Sequence, residues 1–141
     1  MFAANGTMAA PQADLIKDTT EATFMADVIE TSREVPVIVD FWAPWCGPCR
    51  NFAPVYEAAS EKYPDIVFAK VNTEEEQGIA AAFGIRSIPT LMVFRDQIVL
   101  YGQPGALPAG QFEQLIEQAR ALDMDAVRAE MAETAAKEAK G

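Results

Sequence analysis

Residues 35–42, VPVIVDFW, form a nearly unbroken run of β-branched and aromatic side chains. A strand with one face in water alternates apolar and polar residues, whereas a strand covered on both faces reads as a continuous apolar run. The run therefore predicts a strand in the interior of a sheet, with further elements packed on both of its faces.

Strand and helix patterns alternate along the rest of the chain. Asp18 to Glu21 resembles a capping box before a helix that would bury Phe24, Val28 and Ile29. Further strands are predicted at 13–16, 65–72, 90–95 and 98–102, and further helices at 47–62, 74–84 and 111–122. Pro54 should kink the helix that contains it, because proline removes a backbone donor. The order predicts an α/β fold with a central mixed sheet of about five strands flanked by helices.

Charge and length limit the classes of partner. The 141 residues suffice for one domain, and 11 basic against 21 acidic side chains give a net charge of −10. Nucleic acid is an unsuitable partner, since phosphate binding requires a basic face. Residues 1–12, expected to be a flexible segment, lack the basic start and long apolar run of a secretory signal, and no run is long enough to span a bilayer. We therefore expect a cytoplasmic protein without a membrane partner.

The chain has two cysteines, Cys46 and Cys49, within WCGPC. As a structural disulfide the pair would close a very short loop, worth only about 2 kcal/mol in the chain-entropy treatment. As zinc ligands the two would need at least one more, and the sequence has no His and no third Cys. An intersubunit site of four cysteines in a dimer is the remaining metal alternative.

Reversible dithiol–disulfide exchange is the third interpretation, and the local sequence favours it. Cys46 is predicted at a helix N-terminus, where free N–H groups and the helix dipole stabilise the thiolate that acts as nucleophile. Cys49 lies one turn later on the same side and could attack a mixed disulfide. Pro48 is tolerated at a helix start, Gly47 removes bulk, and Trp45 offers an apolar contact.

The motif and its surroundings resemble the thioredoxin family. WCGPC follows VDFWAP at 39–44, and FAKVN at 68–72, GIRSIPTLMVF at 84–94 and GAL at 105–107 are similar to that family in order and spacing. The resemblance covers residues 13–122, which it implies are one thioredoxin domain.

The resemblance implies roles for individual residues. Cys46 would be the attacking cysteine and Cys49 the resolving one. Asp40 would be a buried proton acceptor for Cys49, the alternative being a structural polar residue. Lys70 would tune the charge of Asp40, the alternative being a surface lysine.

The resemblance also implies a substrate-binding groove. Pro89 would follow a cis bond that sets the backbone of Ile88 towards the cysteines, where an extended substrate could pair with it. The alternative is an ordinary loop proline. Trp45, Gly47, Pro48, Ile88, Pro89 and Gly105 would form the groove, whereas Trp42 is expected in the core. Pro104 stands where the family usually has a small apolar residue with an N–H, which indicates an altered groove edge.

A protein-disulfide reductase is the activity that the resemblance implies. It would work without cofactor or metal, as a monomer, on protein disulfides, and a flavin-containing thioredoxin reductase would re-reduce it, so that it contributes to cell redox homeostasis. A chaperone or binding module with secondary redox activity, and a disulfide isomerase or oxidase, are the alternatives.

Residues 123–141, DMDAVRAEMAETAAKEAKG, lie beyond the usual end of the family. Six alanines and the absence of proline predict helix, and Met124, Val127 and Met131 form a narrow apolar stripe. We expect the helix to extend to about residue 132, where the stripe thins to alanine, and the chain to be disordered beyond it. The stripe would either prolong the preceding helix or dock on a partner, a second copy or the domain itself.

Overall fold

A computed structural model describes residues 15–140, and in it the apolar run forms the middle strand of a five-stranded sheet. The strands are β1 (Ile16–Asp18), β2 (Val37–Trp42), β3 (Val67–Asn72), β4 (Thr90–Arg95) and β5 (Ile98–Pro104). Their order is β1-β3-β2-β4-β5. β3 runs parallel to β1 and β2, while β4 pairs antiparallel with β2 and β5 with β4. The predicted mixed sheet is confirmed.

Helices cover both faces of this sheet. They are α1 (Gly47–Lys62), α2 (Gln77–Ala82), α3 (Ala109–Ala121) and α4 (Met124–Lys140), preceded by a π-helical segment (Met25–Glu30) and a short 3₁₀ turn (Thr31–Arg33). The bounds of α1 match the prediction, and Pro54 lies inside it. Within the described residues, no helix is both long and apolar enough to cross a membrane.

Side chains of β2 alternate between two cores. Ile38 packs with Phe52, Tyr56 and Phe112 of α1 and α3 on one face. Val37, Val39 and Phe41 pack on the other face, in a core that also holds Phe24, Val28 and Ile79. Because a strand turns successive side chains to opposite faces, Asp40 shares the α1 face with Ile38 and Trp42. The alternation thus points a carboxylate towards the helix that carries the cysteines.

The N-terminal elements differ from the prediction. Segment 1–12 and the first half of the predicted strand 13–16 lie outside the described residues, and β1 begins only at Ile16. The predicted capping box does not form, because the carboxylate of Glu21 accepts the N–H of Gly78, in α2, instead. The following helical segment starts at Met25; Phe24 and Val28 are buried as expected, whereas Ile29 is only half-buried.

The turn between β4 and β5 is tight. Asp96 and Gln97 both have positive φ, 53° and 64°, as the turn of a two-residue hairpin requires. Ser32 secures it, since its carbonyl accepts the N–H of Asp96 and its hydroxyl accepts the N–H of Gln97. β5 continues past its predicted end to Pro104, which pairs with Thr90.

The C-terminal segment is a helix of its own, not a prolongation of α3. The helical conformation is interrupted at Leu122 and Asp123. The Asp123 carboxylate caps α4 by accepting the N–H groups of Asp125 and Ala126. The prediction that the helix ends near residue 132 is wrong, since α4 reaches Lys140. Uninterrupted helix-forming residues and an i,i+4 ion pair between Glu133 and Lys137, at 3.9 Å, account for the length.

The first turns of α4 dock on the domain itself. Met124 is buried and Val127 half-buried, whereas Met131 is 49% exposed. Arg128 pairs with Asp96 in the hairpin turn and with Asp125. The apolar stripe therefore packs on the domain at Met124 and Val127 and is exposed at Met131.

Candidate active site

Cys46 and Cys49 lie where β2 gives way to α1. Cys46 is the N-cap of α1, in extended conformation, and its sulfur accepts the backbone N–H of Cys49 at 3.2 Å. An N-cap sulfur faces the unpaired N–H groups and the positive end of the dipole of a 16-residue helix. This position stabilises a negative charge on Cys46 once the pair is reduced.

The two sulfurs are joined in a disulfide, with the Cα atoms 5.2 Å apart. Cys46 is 4% and Cys49 3% exposed, so exposure does not distinguish the attacking cysteine from the resolving one. Only Cys46 occupies the N-cap of α1. No group of three or more His, Cys, Asp or Glu side chains within residues 15–140 could hold a metal ion.

The Ile88–Pro89 turn lies against the cysteines. The Ile88–Pro89 bond is cis, as predicted, and the carbonyl oxygen of Ile88 is 3.7 Å from the sulfur of Cys46. A disulfide sulfur carries no proton, so this is a contact in the oxidised form. The side chain of Ile88 packs on the cluster of Ala43, Cys46 and Cys49. Substrate bound along this backbone would meet the sulfur of Cys46 first.

Asp40 is a buried carboxyl group in the middle of β2. It is 1% exposed, and neither carboxylate oxygen has a hydrogen-bond partner among the described residues. Burial raises the pKa of Asp40 from 3.8 to about 7, against a smaller opposing effect of the Lys70 charge. A carboxyl group with this pKa exchanges a proton near neutral pH, as a proton acceptor must.

Lys70 lies opposite Asp40 in the parallel pairing of β2 with β3. Its ammonium group sits 4.5 Å from the centre of the Trp42 ring, a cation–π contact. Trp42 was predicted to lie in the core. It is instead half-buried and packs on the cysteine cluster, so it belongs to the site. Its indole N–H is buried without a partner among the described residues.

The remaining predicted groove residues line the outside of the site. Trp45 is 64% exposed, and Pro48 and Gly105 are exposed as well. A Cβ atom on Gly47 would meet nothing within 4 Å, so this glycine faces open space and does not make room for a neighbouring part of the protein. The N–H of Gly105, at φ 113°, donates to the carbonyl of Pro89 at 2.7 Å and joins the two groove loops.

Two further residues of the site were not predicted. Glu74 accepts the indole N–H of Trp45 at 2.7 Å and fixes the exposed ring. The hydroxyl of Tyr56 lies 2.9 Å from the carbonyl of Ile38, two residues before Asp40, and 2.7 Å from that of Ala69, directly before Lys70. Burial, and then the Asp40 charge, hold the pKa of Tyr56 well above its usual value. Neither residue stands in a motif, and only the fold brings them to the site.

A cysteine pair at a helix N-terminus, with a buried carboxyl group of raised pKa on the strand face towards that helix, has the groups that thiol–disulfide exchange uses. The class that fold and site define is therefore that of the protein-disulfide oxidoreductases. The family model for Thioredoxin matches residues 15–118.

Relatives agree with this family. The chain is 58% identical over 97 residues to a putative thioredoxin 2 of Streptomyces coelicolor, covering 69% of this chain and 72% of that protein. It is 52% identical over 90 residues to thioredoxin 1 of Synechococcus elongatus, covering 63% and 82%. It is 43% identical over 104 residues to a thioredoxin of Porphyra purpurea, covering 73% and 95%. The chain belongs to the thioredoxin family, and its activity is thioredoxin-like disulfide reduction through Cys46 and Cys49.

Proposed function

We propose that the reduced protein transfers two electrons to disulfides of other proteins in two exchange steps. The Cys46 thiolate attacks a substrate disulfide, forms a mixed disulfide and releases one substrate thiolate. The Cys49 thiolate then attacks the Cys46 sulfur, closes the Cys46–Cys49 disulfide and releases the second thiolate. The observation that carries this proposal is the N-cap position of Cys46, with its sulfur hydrogen-bonded to the N–H of Cys49.

Asp40 is the proposed proton acceptor for the Cys49 thiol. Its position on the α1 face of β2, its burial and its raised pKa support this role. Lys70 is proposed to limit that rise, since its charge is the opposing cause. Trp45, Gly47, Pro48, Ile88, Pro89 and Gly105 are proposed to bind the extended substrate segment.

A flavin-containing reductase is the proposed source of electrons, in a cytoplasmic setting and with the protein as a monomer. Reduction of protein disulfides by this route would contribute to cell redox homeostasis. The intact cysteine pair favours this function over a binding module, which has no need of both cysteines.

Reduction of a standard protein disulfide tests the function. The purified protein, kept reduced by excess dithiothreitol, should accelerate thiol release from insulin in proportion to its concentration. Thiol release is followed against dithiothreitol alone and against the protein after alkylation of its cysteines. A rate equal to that of the alkylated protein would refute the proposed activity.

We further propose that residues 13–122 are the catalytic domain and 123–141 an extension. Deleting 123–141 should leave reduction of a small disulfide within about twofold, because contacts outside a site rarely change its chemistry. The thermal midpoint should fall by a few degrees, because Met124 is buried and Arg128 pairs with Asp96. The single variant Arg128→Ala separates the loss of this ion pair from the loss of the helix. Loss of reduction by a deleted protein that stays folded would place the tail in the active site.

A further inference from the structure

An open pocket lies next to the Ile88–Pro89 turn, and neither cysteine lines it. Its volume is about 220 Å³. Ser87 and Thr90, which flank the turn, form part of its wall, and the Thr90 hydroxyl donates to the Ser87 carbonyl and ties the turn together. The pocket therefore adjoins the turn whose Ile88 carbonyl contacts Cys46.

The floor of the pocket is apolar and rigid. Phe83, Ile85 and Met92 line it, at the edge of the second core. The Phe83 ring packs against the rings of Phe24, Phe41 and Phe94, with centroids 5.4, 6.1 and 6.0 Å away. Gly102 and Pro104 of β5 form the opposite wall, and Gly102 leaves the floor uncovered because it has no side chain. An apolar side chain from outside would replace water over this floor.

Arg86 stands at the rim and has no partner among the described residues. Every other Lys and Arg side chain in residues 15–139 makes an ion pair, a hydrogen bond or a contact with an aromatic ring. Arg86 makes none with any described residue, although the chain carries 21 acidic side chains. An unpaired cation in an acidic protein suits a carboxylate supplied by another molecule.

We propose that this pocket is a second recognition site for the polypeptide that carries the target disulfide, and that it takes an apolar side chain next to a carboxylate. The inference rests on the proposed function. Arg86 and Ser87 are the two residues before Ile88, a span of at most about 7 Å. The recognised pair therefore lies two and three residues from the substrate cysteine.

Peptide disulfides test the pocket. Cyclic peptides closed by one disulfide carry Leu-Glu or Ser-Gln two and three residues from a cysteine, on its N-terminal side in one series and its C-terminal side in the other. In at least one series, kcat/KM should favour Leu-Glu by about tenfold, the usual scale of an apolar side chain in an open pocket. Equal values in both series would overturn the proposal.

Two variants test how much of the Leu-Glu preference depends on the charge of Arg86. Arg86→Gln should remove about threefold of it, and high salt should have the same effect on the wild type, since exposed ion pairs are weak and screened. Arg33→Gln removes an exposed positive charge elsewhere, in an ion pair with Glu30, and should preserve the preference. If both variants behaved alike, Arg86 would have no specific role.

Gly102→Val fills the pocket from the β5 side. A Cβ atom there meets Met92 at 3.7 Å and Val99 at 3.9 Å, ordinary contact distances, and far-UV circular dichroism checks that the variant folds. The leucine part of the preference should disappear while reduction of bis(2-hydroxyethyl) disulfide stays unchanged. Turnover of that small disulfide shows that the proposed function stands even if the pocket proposal fails. A preference that persists in folded Gly102→Val and in Arg86→Gln would overturn the proposal.

Discussion

The Cys46→Ser variant should show no catalysis: protein disulfides should be reduced only at the uncatalysed rate, at least about a thousandfold below that of the wild type. A serine hydroxyl at the N-cap remains protonated at neutral pH and cannot attack sulfur, although it still caps α1 by accepting the N–H that Cys46 accepts. The fold should persist for that reason. Thiol release from insulin and far-UV circular dichroism together check both statements.

Cys49→Ser should fail differently. Attack by Cys46 survives, but nothing resolves the mixed disulfide, so a covalent complex with substrate accumulates and appears on a non-reducing gel. The double variant Cys46→Ser/Cys49→Ser is the matched control and should trap nothing. If Cys46→Ser trapped substrate and Cys49→Ser did not, the assigned roles of the two cysteines would be reversed.

Asp40→Asn should stabilise the protein, by an amount that grows with pH. The folded-state pKa of about 7 lies above the ordinary 3.8, so the folded protein holds this proton more tightly than the unfolded chain does. The wild type has the full benefit of the protonated form below pH 3.8 and loses it as pH rises to about 7. At about 1.4 kcal/mol for each pH unit between these values, the loss reaches up to about 4 kcal/mol.

Urea unfolding at pH 4, 5.5, 7 and 8.5, about the range in which this group titrates, measures that difference. The advantage of Asp40→Asn should be small at the lowest pH and level off above neutrality, because asparagine does not ionise. Glu75→Gln, which removes an exposed carboxylate, is the control and should show no such pH dependence. An advantage that did not vary with pH would mean that folding does not raise the pKa of Asp40.

The same variant separates the proposed proton transfer from a structural role. Resolution of the mixed disulfide should slow, and the pH profile of turnover between about 6 and 9, where thiols ionise, should change. Kinetics that match the wild type throughout would leave Asp40 a structural residue.

Much of the sheet could be predicted because its strands carry local signals. The continuous apolar run fixed β2 as an interior strand, and the alternation of strands and helices gave the mixed sheet. Elements at the edges were less predictable. Glu21, in a sequence that suits a capping box, bonds to α2 across the fold, and such a long-range partner has no local signal.

The C-terminal segment shows both kinds of information. Its alanine content predicted helix, and α4 is helical. Its separation from α3 depends on Asp123 as a cap and on Arg95, whose guanidinium donates to the carbonyls of Ala119, Arg120 and Leu122 and closes the end of α3. The Asp123 cap is local, whereas the Arg95 contacts join residues 24 to 27 positions apart, beyond the reach of helix propensity.

The sequence by itself determined the chemistry, because the thiol pair, its spacing of one helical turn and the helix start all lie within one short stretch, 45–49. Only the tertiary structure decided the surroundings of that pair. The sheet places Asp40 under the helix face, the turn at Ile88 against Cys46, and Glu74 on the Trp45 indole. The pocket beside Arg86, which has no partner in residues 15–140, likewise forms only where the segment 83–92 meets β5. The order of residues along the chain sets which groups can react. The burial of those groups and the pairing of their charges depend on the elements that pack around them.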